Sequence, residues 1–173
     1  LLPPGWDTAL PAIQFYTASD FCFPIKVSID HKIVDTSTAI IHHEVAWLAH
    51  IIVHPDFRNQ GIGKLITESL VKMAHAKSCD TLYLLATELG EPVYRKVGFE
   101  TETEYLFFKG EKPIDSAILD ECIVTYTSAY EEQIAEMDHE VSGEDRMFHL
   151  QPHLSSASVY VVDNIVEGYY LPT

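Results

Sequence analysis

The chain has 173 residues, the length of one domain or of two small ones, and it is long enough to bury one sizeable core. Hydrophobic residues make up 47% and charged residues 21%, which is the balance of a globular protein and excludes a disordered one. Lys and Arg number 11 against 26 Asp and Glu, a net charge of −15 that repels phosphate backbones and anionic lipid and so argues against a nucleic-acid or membrane-surface role.

The first residues hold Pro3, Pro4, Gly5 and Pro11 and read as loop with at most a short helix. From Phe23 to Ile29 apolar residues alternate, which predicts a strand. Asp30-His31-Lys32 is a polar turn, and Ile33-Val34 continue the hairpin. A second β run covers Ser37 to His43 and a third, more apolar, Val45 to Val53, ended by Pro55. Ile62, Leu65, Ile66, Leu70, Met73 and Ala74 then form one helical stripe, with Glu68 and Lys72 paired on its wet face. Thr81 to Ala86 is a short apolar strand. Thr87 opens a short helix that runs through Val97 and stops at Gly98. Phe99 to Lys109 has strand character.

Gly110-Glu111-Lys112-Pro113 marks a boundary, dividing residues 1–110 from 111–173. Beyond it, Cys122 to Tyr126 reads as a strand, and Ser128 with Glu131 makes a capping box for a helix bearing Ile134, Met137 and Val141. Another helix starts at Ser142-Gly143-Glu144-Asp145. Val159 to Val162 and Ile165 to Leu171 are strands around Asp163-Asn164. The tail therefore runs strand, helix, helix, strand, strand. The chain starts at Leu1 and ends at Thr173, and the expectation is a piece of a longer protein.

Cys22, Cys79 and Cys122 form no C-x-x-C pair, so neither a zinc site nor a disulfide framework is indicated, and a reducing cytoplasm fits. Nothing reads as a signal peptide, and no apolar run approaches the roughly eighteen residues of a membrane span. His42, His43, His50 and His54 crowd one region. They read as a polar rim, and no metal is expected.

Between the third β run and the long helix stands His54-Pro55-Asp56-Phe57-Arg58-Asn59-Gln60-Gly61-Ile62-Gly63-Lys64. Glycines at a strand-to-helix turn let backbone N–H groups crowd around an anion, and the helix N-terminus adds unpaired donors and a positive dipole end. A P-loop would need Gly at 58 and Ser or Thr at 65, where Arg58 and Leu65 stand. A dinucleotide fingerprint would need Gly or Ala at 66, where Ile66 stands. What remains is R-x-x-G-x-G, an anion cradle.

A second motif follows one helix and one strand later, Tyr94-Arg95-Lys96-Val97-Gly98-Phe99. Together the two resemble the signature of the GNAT superfamily of acyl-CoA-dependent N-acetyltransferases, V-x-P-x-[FY]-R-x-x-G-x-G followed by Y-x-x-x-G-F. Val53, Pro55, Phe57, Arg58, Gly61 and Gly63 match the first part, and Tyr94, Gly98 and Phe99 the second. The resemblance covers roughly Val45 to Phe99. It implies an α/β fold, a mixed twisted sheet flanked by helices, and transfer of an acetyl group from acetyl-CoA, as cosubstrate, to a primary amine by direct attack. Backbone groups of Ile51, Ile52 and Val53 would bond the pantetheine arm like an added strand. Arg58, Asn59, Gln60, Gly61, Ile62, Gly63 and Lys64 would hold the pyrophosphate. Tyr94 would protonate the leaving thiolate, a step open to a phenol of pKa about 10 facing a thiol near 8.5.

The family often takes its base, a Glu or a water chain, from the strand before the cradle. The first positions to examine there are Ala49 and Trp47, neither of which is a base. His50 and Glu44 are the nearest titratable alternatives beside ordered water, and His50 faces the cofactor only if a bulge intervenes. The acidic balance favours a cationic acceptor, a small molecule or a lysine-like amine. The Val141-Ser142-Gly143-Glu144-Asp145-Arg146 stretch resembles the second, GNAT-like domain of some bacterial two-domain members. The tail then opens a second, incomplete domain, or folds back, or across a homodimer, to supply opening elements that the resemblance implies are shortened or missing in residues 1–110. A reading of a different class is a non-catalytic acyl-CoA-binding or sensor module.

Overall fold

The computed structural model describes residues 9–106 and 121–172. The chain divides between Glu104 and Tyr105 into two compact units. The expected boundary at Gly110–Pro113 lies outside the described residues.

The first unit holds α1 (Ala9–Ala18), β1 (Cys22–Ile29), β2 (Lys32–His42), β3 (Val45–Val53), α2 (Ile62–Ala76), β4 (Thr81–Leu84) and α3 (Glu91–Val97). Its sheet runs β1-β2-β3-β4, with the first three strands antiparallel and β4 parallel to β3. The β1–β2 turn is tight because Asp30 (φ 48°) and His31 (φ 63°) both adopt the left-handed region that a twisted two-residue hairpin demands. The sequence reads as two β pieces here, Ile33-Val34 and Ser37 to His43, with Asp35 and Thr36 between them. They lie instead inside a single strand, because β2 is paired on both edges and its backbone bonds outweigh the polar side chains.

Adjacent strand residues point to opposite faces, and each face carries a helix. On one, Tyr16 of α1 packs with Cys22 and Ile40, with Trp47 and Ala49 against them. On the other, Leu70 of α2 packs with Ala39 and Leu48. The helical stripe holds for Ile62, Ile66, Leu70 and Ala74, which are buried, but Leu65 is 56% exposed and belongs to the wet face. Two expectations fail here. The opening segment forms a ten-residue helix that takes Pro11 in its first turn. Residues 99–106 form no strand.

The second unit holds β5 (Ile123–Thr125), α4 (Glu131–Ser142), α5 (Met147–Leu154), β6 (Ser158–Val162) and β7 (Ile165–Tyr170), with the antiparallel order β5-β6-β7. Ile134, Leu154, Val159 and Val166 form its core. The capping box does not form: Ser128 starts a 3-10 turn, α4 begins after it, and the Glu131 carboxylate accepts from the Tyr126 hydroxyl at 2.8 Å. α5 begins at Met147, later than the sequence suggests. Ser142 and Glu144 are tied up beforehand, the Ser142 hydroxyl accepting from the Glu144 N–H at 3.1 Å.

Candidate active site

β3 outlasts its parallel neighbour. Pairing with β4 ends at Leu48 opposite Leu84, and β3 continues alone on that side to Val53. Between Ala49 and Ile52 its register against β2 shifts, with His50 at φ 51°, so β3 carries a bulge there. Past the bulge, the His54 N–H donates to the Val34 carbonyl at 2.8 Å. This makes Val53 and Asp35 a non-hydrogen-bonded antiparallel pair, so the N–H and C=O of Val53 point away from β2, toward the side that β4 has left. Period-2 alternation puts those of Ile51 on the same edge, whereas Ile52 pairs with Thr36 and its side chain is buried. A strand edge is thus open where an extended chain would add.

The Val53 carbonyl accepts from Arg58 Nε at 3.1 Å, which fixes the start of the next loop. Asn59 (φ 58°) and Gly61 (φ 83°) turn that loop into α2 through the left-handed region. The first intrahelical bond runs from the Leu65 N–H to the Gly61 carbonyl, so the N–H groups of Ile62, Gly63 and Lys64 precede the helical ladder. The Ile62 side chain is buried, Gln60 donates to the Asp56 carbonyl at 3.2 Å, and Lys64 is exposed within 3.6 Å of Glu68. The two glycines differ: Gly61 is required by its backbone angle, whereas a Cβ on Gly63 would stand in ordinary contact, 3.6 Å from Val53 and 3.8 Å from Val93.

Tyr94 lies on α3, which packs on α2, with its ring edge-on to Phe99 at 6.4 Å. Burial raises the pKa of its hydroxyl, and the negative charge of Asp35 raises it further. Asp35 itself was not singled out in the sequence reading. It is 0% exposed, neither carboxylate oxygen has a hydrogen-bond partner, and burial pushes its pKa up to about 7. The hydroxyl of Ser37, two residues along, is buried and equally without a partner. The available signal was a lone acid between Ile33 and Ile41, a stretch otherwise free of charge.

The two candidate bases lie elsewhere. The bulge turns His50 onto the α1 face, where its Nδ1 and the Tyr16 hydroxyl are hydrogen-bonded at 2.9 Å and burial lowers its pKa. It lines a cavity of about 390 Å³ with Ile13, Tyr16, Lys26 and Thr36, opposite the face of Tyr94. Glu44 is not brought to the site: it is exposed in the β2–β3 turn, at the far end of β3 from Val53, and its carbonyl accepts from Asp80 and Thr81. Strand alternation brings neither into reach of Tyr94, since one is on the wrong face and the other nine residues away along the strand.

The open edge, the glycine turn and the half-buried tyrosine coincide with a match to the family model described as an acetyltransferase (GNAT) domain, over residues 24–101. Over those residues the chain is similar to the GNAT acetyltransferase family. A 54-residue stretch is 30% identical to the uncharacterized N-acetyltransferase ycf52 of Gracilaria tenuistipitata var. liui, and covers 31% of this chain and 30% of that protein. The matched stretch thus spans under a third of that relative. The GNAT fold is shared with the aminoglycoside antibiotic 6'-N-acetyltransferase AAC(6')-IG of Acinetobacter haemolyticus, at TM-score 0.52 and 20% identity over 66% of this chain and 86% of that one. AAC(6')-Iy in complex with a bisubstrate analog is similar at TM-score 0.53 and 21% identity, over 65% and 85%. Among the described residues, no helix is long and apolar enough to cross a membrane, and no group of three His, Cys, Asp or Glu could hold a metal ion.

Proposed function

We propose that the GNAT unit transfers an acetyl group from acetyl-CoA to a primary amine by direct attack. The single observation that carries this reading is the open β3 edge from the bulge to Val53, running directly into the Arg58–Lys64 turn. An extended pantetheine adds to such an edge as a strand, through the backbone of Ile51 and Val53. The pyrophosphate meets the N–H groups at the start of α2, with Arg58 and Lys64 near by. Bound acetyl-CoA supplies an activated acyl carbon. Tyr94 holds the proton that the departing thiolate takes, and its raised pKa keeps it protonated at neutral pH.

The acceptor is a small molecule or lysine-like amine. The cavity beside His50 is lined by Lys26 and by no Asp or Glu, so the preference for a cationic acceptor rests on the −15 charge of the whole chain. The second unit has the order strand, helix, helix, strand, strand, which supports reading it as the opening of a second GNAT-like domain.

Calorimetric titration with acetyl-CoA, with free CoA as comparison, followed by thiol release against a panel of primary amines, tests the reading. Saturable micromolar binding and amine-dependent thiol release are expected. Absence of binding overturns it, and binding with no turnover of any amine leaves the acyl-CoA-binding module in its place.

A further inference from the structure

The cavity beside His50 has a volume of about 390 Å³. That is the small end of the range for small-molecule sites, about 300–1,000 Å³, so it suits one compact body. Its wall is mostly carbon, with Ile13 from α1, Pro24 from β1 and Ile33 from β2. Its contact with β3 is His50, whose Nδ1 and the Tyr16 hydroxyl are hydrogen-bonded at 2.9 Å, the two rings 5.4 Å apart. His50 is also where the cavity meets the open edge. It is the bulge residue, at φ 51°, and the next residue, Ile51, turns its N–H and C=O to that edge. One peptide step, about 3.8 Å between Cα atoms, separates the two. The edge lies in the plane of the sheet. A thioester held along it is therefore approached from the α1 face, while Tyr94 stands on the face of α2 and α3.

We propose that this cavity is the acceptor site, and that it takes a primary amine with one nitrogen on a compact apolar body, an alkylamine or arylalkylamine, with the nitrogen at the His50 end. This rests on the transferase reading above and narrows its acceptor. The carbon wall favours an apolar body, which sheds its water on entry. A second ammonium on the same body would lose its hydration there, and no Asp or Glu stands among the described lining residues to receive it. Burial lowers the pKa of His50, so at neutral pH its ring adds no positive charge against the incoming amine. The −15 charge of the chain still draws a singly charged ammonium from solution. The polar groups that matter are thus the pair Tyr16 and His50, bonded to each other, which shape the inner end without demanding a charged ligand.

The test measures acetylation of hexylamine, phenethylamine and hexamethylenediamine by wild type, Ile13→Trp and Thr17→Trp at saturating acetyl-CoA. The diamine matches hexylamine in length and differs only at its far end. In the wild type, kcat/KM for hexylamine and for phenethylamine should exceed that for the diamine by about tenfold or more. Each tryptophan fills the cavity and should raise KM for hexylamine by about tenfold, with a smaller change in kcat. Acetyl-CoA affinity, read by calorimetry, should stay within about twofold, because neither residue lies on the open edge. A diamine turned over as well as hexylamine overturns the assigned class. An unchanged KM for hexylamine in both folded variants overturns the cavity as acceptor site, and so does a loss confined to turnover of hexanoyl-CoA, which would give the cavity to the acyl chain. A wild type that binds acetyl-CoA but acetylates no amine of a broad panel overturns the transferase reading and this assignment with it. Circular dichroism shows which variants are folded, and Thr17, exposed on α1, supplies the answer if Ile13→Trp does not fold.

Discussion

Gly90 leaves the space into which the Tyr94 ring leans: a Cβ at Gly90 would stand 2.8 Å from Tyr94 Cε2 and 3.1 Å from its hydroxyl oxygen. The backbone of Gly90 is right-handed helical, so its conformation would suit any residue, and only the contact demands glycine. Gly90→Ala should therefore fold normally and push the tyrosine aside. We expect kcat to fall by about tenfold or more, since small misplacements of a reacting group are costly, while acetyl-CoA affinity stays within about twofold. Steady-state kinetics beside calorimetry checks this. An unchanged kcat would mean that the hydroxyl position does not matter.

The two cradle glycines should respond oppositely. Gly61→Ala places a side chain at φ 83° and should cost about 1 kcal/mol of stability. Gly63→Ala meets only ordinary contacts and should leave stability unchanged or raise it by up to about 1 kcal/mol. Its methyl, however, points at Val53 beside the open edge, so acetyl-CoA affinity should drop about tenfold, a change of about 1.4 kcal/mol. Thermal melts and titrations on the same samples separate the two effects.

The stability of the first unit should depend on Asp35 and on pH in a defined direction. Its folded pKa, about 7, lies above the unfolded value near 3.8, so the folded state holds the proton more tightly. Below pH 4 both states are protonated and nothing is lost. As pH rises from 4 to 7 the unfolded chain ionises first and stability falls, and above 7 the loss is complete. Asp35→Asn removes that dependence and should stabilise the unit at pH 8 by on the order of 2–4 kcal/mol. Denaturant melts at pH 4 and pH 8 are the check, and a stabilisation of equal size at both would contradict it.

In the second unit Arg146 donates to both oxygens of Asp138 at 2.8 and 3.0 Å, and the Tyr169 hydroxyl donates to the same carboxylate at 2.5 Å. Burial alone would raise the pKa of Asp138. The bonds from Arg146 and Tyr169 and the charge of Arg146 outweigh it and lower the pKa. The carboxylate is 5% exposed, so Arg146→Ala would strand a charge in the interior and should cost about 3–5 kcal/mol. With the folded pKa depressed, the contribution is present above the unfolded value near 3.8 and fades as pH falls through the folded one. Hydrogen exchange of the α4 and β7 amides, faster in the variant at pH 7, would report it.

The sequence by itself determined the elements whose causes are local. β3 falls where an apolar run ends at Pro55 and the body of α2 where the helical stripe places it, because both signals are local to the chain. Asp163-Asn164 and Asp30-His31 turn where short polar residues tolerate positive φ. The Arg58–Gly63 turn and Tyr94 were legible because they are spacings along the chain. Everything that depends on which strand lies beside which was decided by the tertiary structure. The capping box gave way to the bond between Tyr126 and Glu131, which arrives from β5's end of the unit. The bulge put His50 on the α1 face, a choice of register that a list of residues does not contain. Asp35 reads along the chain as a polar break between two strands. Its buried, unpartnered position beside Val53 arises only when β2 is closed in between β1 and β3 with helices on both faces.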